Sequence, residues 1–238
     1  AANTSGSANV ALGYATLTAN TTASNNTAVG YTALVANTTG ANNVAVGTFT
    51  LDAATSADQN TAVGYAALSA ATTGGANTAV GGQALISNTT GTNNVAVGYL
   101  ALDANTTASN NTAVGREALT ANTTGSSNVA IGSNSGKAIT TGVENALVGF
   151  ETGQALTNAD FNVAMGRLAL ATDTKGSRSV ALGWGSLRYQ NFTTATDNFN
   201  VAIGYNTGGG ITTGVSNTLI GSAAGDALTD ADYNVSLG

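Results

Sequence analysis

The phrase Asn-x-Ala-(Val/Ile/Leu)-Gly, or a close variant, opens at Asn9 and returns at Asn26, Asn43, Asn60, Asn77, Asn94, Asn111, Asn128, Asn145, Asn162, Ser179, Asn200, Asn217 and Asn234. The spacing is 17 residues from Asn9 to Ser179, 21 once, and 17 again to the end. Such a period leaves few folds open. It is too short for a helical-hairpin repeat, which needs roughly 34 residues or more. It suits one coil of a solenoid whose strands stack at about 4.8 Å. The chain therefore reads as an all-β protein, a parallel β-solenoid (β-roll) of about fourteen 17-residue coils in one array over residues 1–238. At that rise fourteen coils give a rod of roughly 65 Å.

Each coil divides in the same way. Thr27-Ala28-Val29 supplies a short strand, Gly30 turns the chain, and Tyr31-Thr32-Ala33-Leu34 is expected to form a second short strand. Residues 36–42 are dominated by Asn, Thr and Gly and read as loop, since Gly and Asn tolerate positive φ. The repeated Asn is expected to be structural, its side chains bonding along a ladder and to turn backbone.

One substitution pattern tests this reading within the chain. Most coils carry Leu eight residues after the opening Asn, as at Leu34, Leu68 and Leu187, whereas four carry Gly136, Gly153, Gly208 and Gly225. Those four place an aliphatic three residues later, at Ile139, Leu156, Ile211 and Leu228. Apolar volume is relocated rather than lost, as a close-packed core requires. Residues 14–47 resemble 99–132, and 133–166 resemble 205–238, so the array grew by copying blocks. Block register survives the four-residue insertion between Ser179 and Asn200, which places the insertion in a loop within Tyr189 to Asn200. The chain ends on the last residue of its phrase, so more of the array is expected beyond Gly238.

Successive side chains of a strand point to opposite faces, yet Val44-Ala45-Val46 is apolar throughout. Both faces are therefore expected to be buried, with the small Ala on a face of close approach. A narrow coil has only one interior, so the second face is expected to meet identical copies.

The pattern Asn-x-Ala-(Val/Ile)-Gly-x-x-(Ala/Ser) resembles the head repeat of trimeric autotransporter adhesins. The longer form, Gly-Tyr-x-Ala-Leu-x-x-Asn-Thr-Thr-Gly-x-Asn-Asn, is similar to arrays in phage tail fibres and large bacterial surface proteins. The resemblance covers essentially the whole chain. It implies a left-handed, homotrimeric roll on a cell surface or virion, with a surface glycan or protein as receptor. The 17-residue unit is longer than the adhesin repeat, so the outer loop is longer here. No coiled-coil heptads, membrane anchor or C-terminal chaperone-like domain accompanies it.

Composition bounds the chemistry. There is no His and no Cys, which removes Ser–His and Cys–His nucleophile systems, thiolate metal sites and disulfides. The net charge is −6 and no basic residue precedes Arg116, so a phosphate-neutralising stripe for nucleic acid is not expected. Apolar runs stop at four or five residues, far short of a transmembrane helix. Asp160 and Asp232 occupy equivalent coil positions, and Glu117 belongs to no repeated pairing in the sequence, so solvated loop carboxylates are the expected reading rather than a catalytic pair. "TNADFN" (Thr157–Asn162) and "TDADYN" (Thr229–Asn234) are isolated echoes of calcium-binding rolls, and neither offers six to eight oxygen ligands. We expect no enzyme, no cofactor and no metal.

Thr-Thr pairs recur in register, among them Thr21-Thr22, Thr38-Thr39 and Thr89-Thr90. They raise an alternative function, a monomeric solenoid that binds ice or a crystalline polysaccharide through stacked Thr. Adjacent residues in a strand point opposite ways, so hydroxyls that satisfy turn backbone are the plainer reading. Asn20, Asn37, Asn88, Asn105 and Asn122 each open an Asn-Thr-Thr triplet, the N-glycosylation pattern. The one irregular patch, Arg178 to Phe192, holds the only Trp beside the insertion. Trp184, Arg188, Tyr189 and Phe192 are the candidate ligand-binding residues, since aromatics with Arg on a loop can stack on sugar rings; the alternative is that Trp184 and Phe192 pack a widened coil. The function expected is a structural and adhesive segment of an extracellular fibre.

Overall fold

A computed structural model describes residues 3–238. The chain divides into two compact units, Ala1–Arg116 and Glu117–Gly238. Each is a parallel β-solenoid with a three-residue strand in every coil. The first unit carries β1 (Val10–Leu12), β2 (Thr27–Val29), β3 (Val44–Val46), β4 (Thr61–Val63), β5 (Thr78–Val80), β6 (Val95–Val97) and β7 (Thr112–Val114). They pair in parallel in chain order and in strict register, Ala28 opposite Ala45 and Ala45 opposite Ala62.

The second unit carries β8 (Val129–Ile131), β9 (Ala146–Val148), β10 (Val163–Met165), β11 (Gly176–Ser177), β12 (Val180–Leu182), β13 (Thr196–Asp197), β14 (Val201–Ile203), β15 (Thr218–Ile220) and β16 (Val235–Leu237). Here β8, β9, β10, β12, β14, β15 and β16 pair in parallel in that order, while β11 pairs with β13 in a small separate sheet. No described residue is helical.

The second expected strand does not form. Thr32 and Leu34 have φ of 56° and 50°, and the pattern repeats at Phe49 and Leu51 and at Ala66 and Leu68. Left-handed residues at alternate positions curl the chain, so the consecutive Ala33 and Leu34 both face inward with no exposure. An extended strand, whose side chains alternate, cannot do that. The segment still joins coil to coil: Leu34 N–H donates to Thr50 O and Leu51 N–H to Ala67 O.

The central strand residue, Ala in most coils, also faces this interior. Ala28, Ala45, Ala62 and Ala79 have zero exposure, while the residues on either side of each are half-buried. The small residue thus lies on the inner face, opposite to expectation. Leu34 and its equivalents fill the narrow coil from across, which leaves room only for Ala. Nor is the outer face buried: Val and Thr there have no covering layer within their own unit.

Asn closes each coil and joins it to the next. Asn26 Nδ2 donates to Gly40 O at 2.9 Å, across the coil it opens, and Asn26 Oδ1 accepts the backbone N–H of Asn43 at 2.9 Å. The same pair of bonds recurs at Asn43, Asn60 and Asn77. These amides are buried, where an unpaired polar group is costly. The Gly that ends each phrase is required by contact as well as by φ. At Gly64, φ is +134° and a Cβ would lie 2.6 Å from the carbonyl oxygen of Gly81 in the next coil.

The relocated core volume is seen directly. A Cβ at Gly136 would meet Ile139 Cδ1 at 3.2 Å and Leu147 Cδ1 at 3.0 Å; one at Gly208 would meet Ile211 Cδ1 at 3.3 Å and Leu219 Cδ1 at 3.0 Å. Leu147 and Leu219 replace the central strand Ala and share the filling with the displaced aliphatics. Their presence in two of the Gly coils was the signal that spacing alone did not bring out. The swap has a backbone logic too. Leu at this position sits at φ near 50°, which costs an L-residue roughly 1–2 kcal/mol, whereas Gly136 adopts φ 57° without a Cβ to clash.

Candidate functional surfaces

Two surfaces stand out. The first is the outer face of the strands. In every coil the first and third strand residues point outward, giving Thr27, Val44, Thr61 in one column and Val29, Val46, Val63 beside it. In the second unit the columns run through Val163 and Met165, 42% and 54% exposed, and Ile203 and Ile220, 37% and 41% exposed. No charged residue occurs in any of these strand positions. Next to the valines, just past the turning Gly, lie exposed aromatics. Tyr14 stacks on Tyr31 with ring centroids 5.2 Å apart, and Phe49 meets Tyr31 and Tyr65 edge-on. Apolar surface of this continuity marks interaction sites in soluble proteins.

The second surface surrounds the insertion. Residues 192–199 take the place of the four at 175–178 one coil earlier, as the bonds from Thr174 Oγ1 to Asn191 Oδ1 and from Asn191 N to Thr212 O show. Trp184 is half-buried and stacks on Tyr205 at 4.9 Å and 12°. Arg188 reaches over both Trp184, at 5.8 Å, and the exposed Tyr189, at 5.2 Å. These three residues are brought together. Phe192 is not part of the group's exposed surface: it is 6% exposed and packs under the inserted loop, and a Cβ at Gly176 would meet its ring. Arg178 meets the inserted loop by pairing with Asp197 at 3.1 Å and covers the Phe161 ring at 4.6 Å.

Beneath this patch lies a network that sequence reasoning missed. Ser179 replaces the ladder Asn and is too short to serve the next coil. Asn198 Oδ1 instead accepts the Asn200 N–H at 3.0 Å, and Gln190 Oε1 accepts from Asn200 Nδ2 at 2.9 Å. Gln190 Nε2 in turn donates to Ser179 Oγ and to the buried Asp173. Asp173 also accepts the N–H groups of Gly176 and Phe192 at 3.0 Å each. Asn198 from the insertion and Gln190 just before it thus supply the acceptors that the lost Asn would have supplied. The departure of Ser179 from the phrase was the available signal.

The remaining candidates have structural roles. Asp160 Oδ1 accepts the Val143 N–H and Asp232 Oδ1 the Val215 N–H, both at 2.8 Å, so these acids cap the loop of the preceding coil. Among the described residues no cluster of acids could hold a metal ion, and no pocket opens. The first Thr of each pair donates to the equivalent carbonyl one coil on, as Thr38 Oγ1 does to Thr55 O at 3.0 Å. The second, such as Thr22, Thr39 or Thr90, is exposed. The Asn of the Asn-Thr-Thr triplets is buried in all five cases, at 2% exposure or less. A folded coil therefore withholds these amides from a glycosyltransferase. Among the described residues no helix is long and apolar enough to cross a membrane. Comparison with family models, with curated proteins and with solved structures finds no match.

Proposed function

We propose that the chain is a structural segment of an extracellular fibre, on a cell or a virion, built from three copies that cover one another's strand faces. The observation that carries this reading is the outer strand face, uncharged and built of Val, Ile, Leu, Met and Thr, most of it only half-buried within its own unit. Burial of apolar surface is the main driving force of association, and a copy with the same coil spacing offers a matching face. A fibre of this type works by rigidity and by what it displays. The displayed site is the cluster of Trp184, Arg188 and Tyr189, with Phe192 as packing beneath, offered to a glycan or protein receptor.

The mass in solution tests the assembly. Sedimentation is expected to give three times the 23.1 kDa of one chain; a stable monomer overturns the reading. The ice-binding or polysaccharide-binding alternative would rest on the second Thr of each pair. With the first hydroxyl committed to the ladder, the pairs present one exposed Thr column rather than two. Thermal hysteresis at micromolar concentration from a monomer would favour that alternative.

A further inference from the structure

The two units differ in their outward columns in a way their cores do not require. The third strand position of the first unit is Val in every strand from β2 to β7. In the second unit it is Ile131, Val148, Met165, Leu182, Ile203, Ile220 and Leu237. These side chains point away from the interior, so packing inside the coil does not select them.

We propose that the strand face of the second unit sets the axial register between copies of this chain, a selection that the uniform valines of β2 to β7 in the first unit do not make. The inference rests on the self-association proposed above. A second copy fits the face because it has the same axial period, so it can meet every coil of the unit, which a partner without that period cannot. Seven strands of three residues, at about 3.3 Å per residue and 4.8 Å apart, present a footprint of roughly 340 Å² in this unit.

Register follows from side-chain size. If first-unit faces slide by one coil, β2 to β7 again set Val against Val and lose almost nothing. In the second unit the same slide sets Met165 against Val148 or Leu182, and Ile131 against Val148. Gaps and overlaps of that kind are destabilising. Only the unslipped arrangement places every layer against its own copy. The consequence is closure. A contact with net translation cannot close into a ring and propagates as an open filament, so a register-blind face would give staggered chains.

The test levels the column. A variant with Ile131, Met165, Leu182, Ile203, Ile220 and Leu237 each replaced by Val keeps an aliphatic outer face and leaves the core untouched. Far-UV circular dichroism confirms that it folds. Sedimentation across a hundredfold concentration range is then compared with the parent chain. The expected result is one discrete mass for the parent and a mass that grows with concentration for the variant. A variant with the parent's discrete mass overturns the register inference and leaves self-association standing. Dissociation of the variant to monomers also overturns it, because the column would then supply affinity rather than register. A monomeric parent chain removes the underlying reading itself, and a parent that forms open filaments refutes the closure argument.

Discussion

Replacing Asn60 by Ala removes one rung of the ladder, and the structure sets the size of the effect. Asn60 has no exposure. Its Nδ2 donates to Gly74 O at 3.0 Å, and its Oδ1 accepts the Asn77 N–H at 2.9 Å. Asn43 Oδ1 keeps the backbone N–H of residue 60, and Asn77 Nδ2 keeps Gly91 O at 2.9 Å. The Asn77 N–H and the Gly74 carbonyl are thus the two groups that lose this partner in a site closed to water. At about 1–3 kcal/mol for each such group, the loss is about 2–6 kcal/mol. Unfolding of repeat arrays spreads between neighbours, so the measurement should be local as well as global. Native-state hydrogen exchange at the Asn77 amide should accelerate in step with the fall in the denaturation midpoint. Thr73→Ala, at an exposed loop position, serves as the control and is expected to stay within about 0.5 kcal/mol. Asn60→Ser should behave like Asn60→Ala, because coil four has no counterpart of Asn198 and Gln190. If Asn60→Ala matched the Thr73→Ala control, the ladder would not be what holds consecutive coils, and the reasoning would fail.

Four further outcomes follow from the same geometry. Leu147→Ala restores the usual strand residue but uncovers Gly136 and Gly153, and should cost about 2–5 kcal/mol in chemical denaturation. Ala54→Asn should stabilise by about 0.5–1.5 kcal/mol, since Asn37 Oδ1 is buried without a hydrogen-bond partner and an Asn one coil on would donate to it. Gly64→Ala forces a side chain into φ +134° against the Gly81 carbonyl and should cost about 3 kcal/mol or more, seen as lost soluble yield or a lowered melting temperature. Val63→Asp puts a carboxylate on the outer strand face, where the fold tolerates it but apolar contact does not; sedimentation is expected to show dissociated chains with unchanged circular dichroism.

Much of this structure was readable because a solenoid repeats one local problem many times. The strand at residues 27–29, the turning Gly30, the structural role of Asn26 and the Leu-for-Gly exchange with Ile139 each recur at fixed spacing, and recurrence separates a structural requirement from an accident. Backbone conformation was less readable. Tyr31-Thr32-Ala33-Leu34 has the composition of a strand, and nothing in it announces positive φ at Thr32 and Leu34. Neighbouring coils stabilise that shape through coil-to-coil bonds such as Leu34 N to Thr50 O, so no local propensity records it.

The candidate site divides along the same line. That Trp184, Arg188, Tyr189 and Phe192 mark an irregular coil was evident from composition, but which of them reach the surface depends on a network drawn from positions 173, 179, 190, 198 and 200. The period, the parallel stacking and the identity of the residues that tile each coil follow from the amino-acid order, because a 17-residue unit without Pro or Cys can bury its apolar side chains only against copies of itself. Tertiary structure alone decided which way those side chains face. Ala45 turns inward and Val44 and Val46 outward because the left-handed turn at 49–51 brings Leu51 into the interior and fills it from the other side.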